Sequence, residues 1–153
     1  MQIVTQKIAP CLWFDTKAEE AAKFYVSVFK NSKINTVARY PGEGQEIHGK
    51  RKFVALNGGP QFTFDEAVSF QVYCESQDEV DYFWRRLTEG GKEGPCGWLK
   101  DRYGLSWQVV PVALLEMMLD RDASKSARVM AAFMQMKKFD IEALKRAYEG
   151  ETV

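Results

Sequence analysis

Apolar positions change period several times along this chain. In "KIAPCLWF", "INTVARY", "KFVALN", "QFTF", "VSFQVYC" and "LSWQVV" the side chains alternate or run apolar, which predicts strands. Pro10 marks the first of these as an edge or a bulge. Between them Ala18, Ala21, Ala22, Tyr25, Val28 and Phe29 recur at helical spacing, as do Val80, Phe83, Trp84 and Leu87. Thr16 with Glu19, and Ser76 with Glu79, are spaced as capping boxes opening those helices. Asn31 and Gly90-Gly91 are placed to close them. Asn57-Gly58-Gly59 predicts a hairpin between "KFVALN" and "QFTF", and "DRYG" one between "CGWLK" and "LSWQVV". "PGEGQEIHG" reads as a mobile, glycine-rich connection.

The pattern repeats. Thr16, Glu19 and Phe24 map onto Ser76, Glu79 and Trp84 at one fixed offset, so two copies of strand, helix and further strands are the simplest organisation. Pro111 stops the last strand, and beyond it the chain is helical: "VALLEMML", a helix from Ser124, and "DIEALKRAYEG" capped by Asp140. Met117, Met118, Met130, Met134 and Met136 suit irregular packing against a sheet or a partner subunit.

Composition narrows the function classes. In a chain of 153 residues, 46% hydrophobic and 27% charged residues are ordinary for a soluble globular protein. Twenty-one basic and twenty-one acidic residues cancel, so no net field draws in nucleic acid or an anionic membrane. No apolar run approaches the roughly 18 residues that span a bilayer. The N-terminal "MQIVTQKIAP" is too short and polar for a signal peptide. Cys11, Cys74 and Cys96 form no C-x-x-C pair and read as reduced thiols of a cytoplasmic protein. Four Trp, six Tyr and ten Phe are many for this length, and aromatics line small-molecule pockets as well as cores.

In "PCLWFDTKAEEAAKFYVSVF", "NGGPQFTFDEA", "LTEGGKE", "DRYGLSWQVVP" and "ARVMAAFMQMKKFDIEALKRAYEG" the chain resembles the PhnB-like branch of the vicinal oxygen chelate superfamily, from about residue 6 to residue 150. That superfamily includes glyoxalase I, bleomycin-resistance proteins and extradiol dioxygenases. The resemblance implies an α+β fold of paired βαβββ modules, residues 6–66 and 67–111, whose curled mixed sheets surround a cleft. Helices over 112–150 then form a C-terminal tail, and a homodimer is common. It also implies where a metal would sit. Metal-dependent relatives carry a Glu four residues after the turn glycine, which here is Gln108, counting from Gly104. The other ligand positions fall near Ile8 and near Ala67 or Ser69. Aliphatic side chains have no lone pairs and an amide oxygen carries no charge, so no metal or other cofactor is expected.

Gln108 is the leading candidate, as a hydrogen-bonding floor to a neutral pocket. It shares a strand face with Ser106 and Val110, while Trp107 and Val109 take the other. Ser69, Gln71 and Tyr73 share one face of "VSFQVYC" and are further pocket candidates; Leu12, Phe14 and Trp98 are expected as apolar walls, with Trp13 and Phe24 as core. His48, the sole histidine, lies near Glu46 in a segment placed to close over the cleft, and is the one side chain of suitable unperturbed pKa for a general base. Cys96 in "GPCGW" lacks an evident base, and Asp101 with Arg102 reads as turn chemistry. Members of the branch are often labelled demethylubiquinone methyltransferases, yet no G-x-G-x-x-G turn joins a strand to a helix here. The leading expectation is metal-independent binding of a small molecule in a dimer cleft. The alternatives are a metal-dependent lyase, isomerase or dioxygenase with a rearranged site, built on Glu46, His48 and Gln108, and a structural dimerisation module held by the tail.

Overall fold

The computed structural model describes residues 6–38, 44–48 and 52–151, with the backbone alone at 38 and 44–48. It divides into two compact units, the first ending at Phe64 and the second beginning at Asp65. Each carries one βαβββ module, as the resemblance implied.

In the first unit the elements are β1 (Cys11–Phe14), α1 (Ala18–Val28), β2 (Lys33–Ala38), β3 (Gly44–His48) and β4 (Lys52–Asn57), with sheet order β1-β4-β3-β2. β1 runs parallel to β4, and the remaining pairs are antiparallel. Leu12, Phe14 and Ala55 are buried on the side of the sheet where Asn57 reaches the start of α1, against Ala18, Ala21, Ala22, Tyr25 and Val28 of the helix.

Four expectations change here. β3 lies inside "PGEGQEIHG", so part of that segment is strand rather than a loose connection; residues 41–43 and 49 lie outside the described residues. "QFTF" forms no strand, and Asn57-Gly58-Gly59 makes no hairpin. Its residues serve packing instead. A Cβ at Gly58 would lie 2.1 Å from the Trp13 ring, so glycine is required by a close approach. The Trp13 indole N–H donates to the Gly59 carbonyl at 2.9 Å, and Phe62 packs edge-on against that ring at 5.0 Å. Finally, Thr16 does not cap α1. The N-cap position is Lys17, without a side-chain bond, and the Asn57 Oδ1 accepts from the Ala18 N–H at 2.8 Å, so a distant amide replaces the local box.

The second unit contains β5 (Ser69–Cys74), α2 (Gln77–Thr88), β6 (Lys92–Glu93), β7 (Trp98–Lys100) and β8 (Ser106–Pro111), in the order β5-β8-β7-β6. β5 is parallel to β8, and β8 pairs antiparallel with β7 through the expected "DRYG" turn. Here the side-chain cap holds: Ser76 accepts from the Glu79 N–H at 3.2 Å, while the Glu79 carboxylate reaches one residue past the cap and accepts from the Glu75 N–H at 2.8 Å. Val80, Trp84 and Leu87 of α2 are buried, and Cys74 and Val109 are buried in the sheet. Two-residue β6, too short to announce itself in the pattern, is tied to the helix by the Trp84 indole, which donates to Glu93 at 2.9 Å.

The tail forms α3 (Val112–Met118), α4 (Ala123–Phe133) and α5 (Ile141–Glu149) around Leu114, Met117, Val129, Phe139 and Leu144. Asp140 caps α5 as expected, accepting from the Ala143 N–H at 3.0 Å, and Gly150 closes it in the left-handed conformation. The tail belongs to the second unit. The Gln77 amide donates to the Phe139 carbonyl at 3.0 Å and accepts from the Ile141 N–H at 2.8 Å, and the N–H groups of Cys96 and Gly97 donate to Met136 and Lys137 at 2.8 Å each. Met117 is buried in the tail core, with Met118 and Met136 packed against it, whereas Met130 and Met134 are exposed. No helix among the described residues is long and apolar enough to cross a membrane.

Candidate ligand-binding face

The turn from Asp101 to Gly104 sets the register of β8. Asp101 is buried and accepts from the Tyr103 and Leu105 N–H groups at 2.8 and 3.1 Å and from the Trp107 indole at 2.9 Å. This confirms turn chemistry for Asp101, and by pinning Trp107 to the helix side it turns Ser106, Gln108 and Val110 to the opposite side. Across the parallel pair Ser69 faces Ser106, Gln71 faces Gln108 and Tyr73 faces Val110; on the other flank Trp98 faces Gln108 and Lys100 faces Ser106. Directly paired residues point the same way, so Ser69, Gln71, Tyr73, Trp98, Lys100, Ser106 and Gln108 share one surface of the sheet.

Their polar groups form a directed ladder. The Tyr73 hydroxyl donates to Gln71 Oε1 at 2.6 Å, Gln71 Nε2 to Gln108 Oε1 at 3.2 Å, and Gln108 Nε2 to Ser69 Oγ at 2.8 Å. Each amide keeps one N–H and one lone pair unspent. Gln108, Trp98 and Ser69 are half-buried, and Tyr73 is 54% exposed, so the ladder is open from its Tyr73 end. At the other end Lys100 pairs with Glu66 at 2.6 Å, and that lysine holds the Glu66 carboxyl below its ordinary range. Ser106 is fully buried, and its Oγ has no hydrogen-bond partner among the described residues.

The structure therefore brings together Ser69, Gln71, Tyr73, Trp98 and Gln108. It does not bring Leu12 and Phe14 to an open surface. They are 6% and 5% exposed on the helix side of β1, and Trp13, expected in the core, is the half-buried residue on the opposite side. The alternation was legible there; which phase faced the helix was not. His48 lies at the end of β3, its backbone paired with Lys33 and Lys52; its side chain and that of Glu46 lie outside the described residues. Cys96 sits on the tail core, its thiol 3.9 Å from the Met134 sulfur. Lys100 and Ser106 were not among the expected site residues, although Ser106 stands two residues before Gln108 on the same strand face.

This surface does not suit a divalent cation. Hard cations take charged or multiple oxygen donors, and softer ones take imidazole or thiolate. The strand position that the resemblance assigns to a glutamate offers one neutral amide oxygen, already accepting from Gln71. Among the described residues no three His, Cys, Asp or Glu side chains gather as a metal site would need.

A family model described as 3-demethylubiquinone-9 3-methyltransferase matches residues 6–110, which leaves the tail outside the likeness. No curated protein matches the chain. A PhnB protein of Bacillus cereus, described as a 3-demethylubiquinone-9 3-methyltransferase, is 31% identical, with 70% of this chain and 100% of that one covered at a TM-score of 0.63. A protein of Pseudomonas aeruginosa is 18% identical, with 70% and 98% covered at 0.60. The fosfomycin resistance protein FosX of Mesorhizobium loti is 8% identical, with 71% and 92% covered at 0.54. At these last two identities the likeness is one of fold. The residues do not fit S-adenosylmethionine by a glycine turn between strand and helix: Gly58-Gly59 leaves β4 without entering a helix, and Gly90-Gly91 follows α2.

Proposed function

Because the chain belongs to the 3-demethylubiquinone-9 3-methyltransferase family, the PhnB-like branch of the vicinal oxygen chelate superfamily, we propose that it binds a small, partly aromatic molecule without a metal. The ligand would lie on the surface carried by β5, β8 and β7, with Gln108 as the polar floor, Gln71 and Ser69 beside it, and Tyr73 and Trp98 as aromatic flanks. The observation that carries this reading is the ladder itself. Where metal-dependent relatives carry a glutamate, two amides and two hydroxyls are linked instead, with donors and acceptors to spare. Such a surface recognises neutral polar edges, and its aromatic rings supply dispersion and stacking.

The function is binding rather than methyl transfer, and the protein acts as a homodimer. Leu119 is 83% exposed and Met134 58%, on a tail that lies outside the family match, and these are the side chains that such an interface would cover.

Elemental analysis with thermal unfolding tests the central claim. The expected result is no stoichiometric divalent metal, no loss of stability on chelation, and a rise in Tm with a subset of small aromatic amides or ketones. Stoichiometric metal uptake with a matching rise in Tm would overturn it. For the dimer, sedimentation of the Leu119→Asp, Met134→Asp double variant should give monomers if the tail mediates association.

A further inference from the structure

We infer that the Ser69–Ser106 end of the ladder is a seat for a neutral carbonyl oxygen of the ligand. This rests on the reading of the sheet surface as a binding site and adds the ligand's chemical class and orientation. The hydrogen bonds run in one sense, from Tyr73 through Gln71 and Gln108 to Ser69 Oγ. Ser69 therefore accepts within the ladder, and its own hydroxyl hydrogen is left to donate elsewhere. Its direct partner across the parallel strands is Ser106, whose Oγ has no partner among the described residues despite complete burial. Two neighbouring hydroxyls, both left to donate, call for an acceptor. The upstream hydrogen bonds polarise Ser69 and make it the better donor.

Charge separates a carbonyl from an anion. Lys100, the partner of Ser106 on its other flank, is the cation next to the two hydroxyls, with Lys92 one strand further out, and the Glu66 carboxylate already meets Lys100 at 2.6 Å. Lys100 already has Glu66 as its counter-charge, so a carboxylate or phosphate would have to compete with that carboxylate for the lysine, whereas a carbonyl oxygen needs only the hydroxyl hydrogens. That ion pair is solvent-exposed and inexpensive to open, which gives the oxygen a way in. Trp98, paired with Gln108, offers its indole as the surface on which the attached ring lies. The implied ligand is a planar ring bearing an exocyclic carbonyl, of lactam or quinone type, with its oxygen towards Ser106 and its other edge towards Gln71 and Tyr73.

The test uses three bicyclic probes of matched shape on the full chain: quinolin-2(1H)-one, naphthalene and 2-naphthoate. Affinities are followed through the side-chain amide signals of Gln71 and Gln108 by NMR. Quinolinone should bind at least tenfold tighter than naphthalene and tighter than naphthoate. Ser106→Ala should bring quinolinone to within about threefold of naphthalene, leave naphthalene unchanged, and raise Tm, because it removes a buried hydroxyl without a partner. The rise in Tm shows that the variant folds, and the loss of selectivity shows what the hydroxyl is for. If naphthalene and quinolinone bind equally, or Ser106→Ala leaves quinolinone binding intact, the carbonyl seat is wrong while the binding surface stands. A preference for naphthoate that disappears in Lys100→Met also overturns it, in favour of an anion site. If no probe moves either amide signal, the binding surface fails together with the seat.

Discussion

The two modules share one topology and differ in the surface that is turned away from the helix. In the first sheet the pairs at corresponding positions are Cys11 with Val54 and Trp13 with Leu56; in the second they are Gln71 with Gln108 and Tyr73 with Val110. The helix-facing sides are alike: Leu12, Phe14 and Ala55 in one, and Cys74 and Val109 in the other, all buried. Packing against a helix demands small and apolar side chains whatever the function, so that side carries the fold. The opposite side is free of that demand, and in the second sheet it carries linked polar groups. In the first, its β1 part carries an indole clamped by Gly58, Gly59 and Phe62. The ladder is thus a feature of the second sheet, and the described β1 and β4 side chains turned the same way in the first include Trp13, Val54 and Leu56.

The sharpest way to break that comparison is to remove the close approaches on which each sheet depends. A Cβ at Gly58 would meet Trp13 at 2.1 Å; one at Gly97 would meet the Phe139 ring at 2.4 Å and the Val109 carbonyl oxygen at 2.9 Å, on a backbone with φ of +77°. Gly58→Ala and Gly97→Ala should each cost about 3 kcal/mol, at the upper end of overpacking penalties, and the second adds left-handed strain. Urea unfolding measures both. Gly59→Ala is the control, since φ is +95° but nothing lies within 4 Å of the added atom. It should cost only about 1–2 kcal/mol of backbone strain. Equal losses at positions 58 and 59 would show that the indole yields and that the clamp on the first sheet is loose.

A smaller effect separates the two helix starts. Ser76→Ala removes a side-chain cap and should destabilise by about 1 kcal/mol, whereas Thr16→Ala at the corresponding position should change stability by less than about 0.5 kcal/mol. The loss in the first module should appear instead in Asn57→Ala, which leaves the Ala18 N–H without its acceptor. Thermal unfolding of the three variants decides this. A loss in Thr16→Ala matching that in Ser76→Ala would mean that the modules are capped alike.

These contrasts also mark what the sequence could reveal. Helical stripes, the "DRYG" hairpin and the caps at Ser76 and Asp140 rest on residues within a few positions of one another, and local spacing suffices to read them. Asn57-Gly58-Gly59 misleads because its function is set by Trp13, forty-five residues earlier in the chain, and "QFTF" follows it out of the sheet. The site was legible as far as strand alternation goes: Ser69, Gln71, Tyr73 and Gln108 were placed on matching sides, and the structure puts them together with Trp98. The direction of the ladder and the unpartnered hydroxyl of Ser106 depend on tertiary register, and no residue count exposes them. Lys100 was missed for the same reason, because it joins the surface only through its pairing with Ser106.

The smallest expected effect sharpens the contrast between the two sides of a sheet through a pair of thiols. Cys11 lies exposed on β1, on the side away from α1; Cys74 is buried on the helix side of β5, where desolvation, aided by the nearby Glu79 carboxylate, pushes its thiol up to about 12. A thiol whose folded pKa is raised stays protonated in the folded state after the unfolded chain has begun to lose its proton. The folded state then binds more protons than the unfolded one, so stability falls as pH rises above the ordinary thiol value of about 8.5 and continues to fall until about 12. Between pH 7 and pH 9 the loss from this one group should remain under about 1 kcal/mol. Cys74→Ala should remove that part of the slope, and Cys11→Ala should leave it intact, when urea unfolding is compared at the two pH values within each variant. A thiol-specific chromogenic reagent at pH 8 should correspondingly modify Cys11 in the folded protein, and Cys74 only as the second unit unfolds. Rapid modification of Cys74 under native conditions would mean that the helix side of the second sheet opens to solvent, and the division into a packed side and a working side would no longer hold.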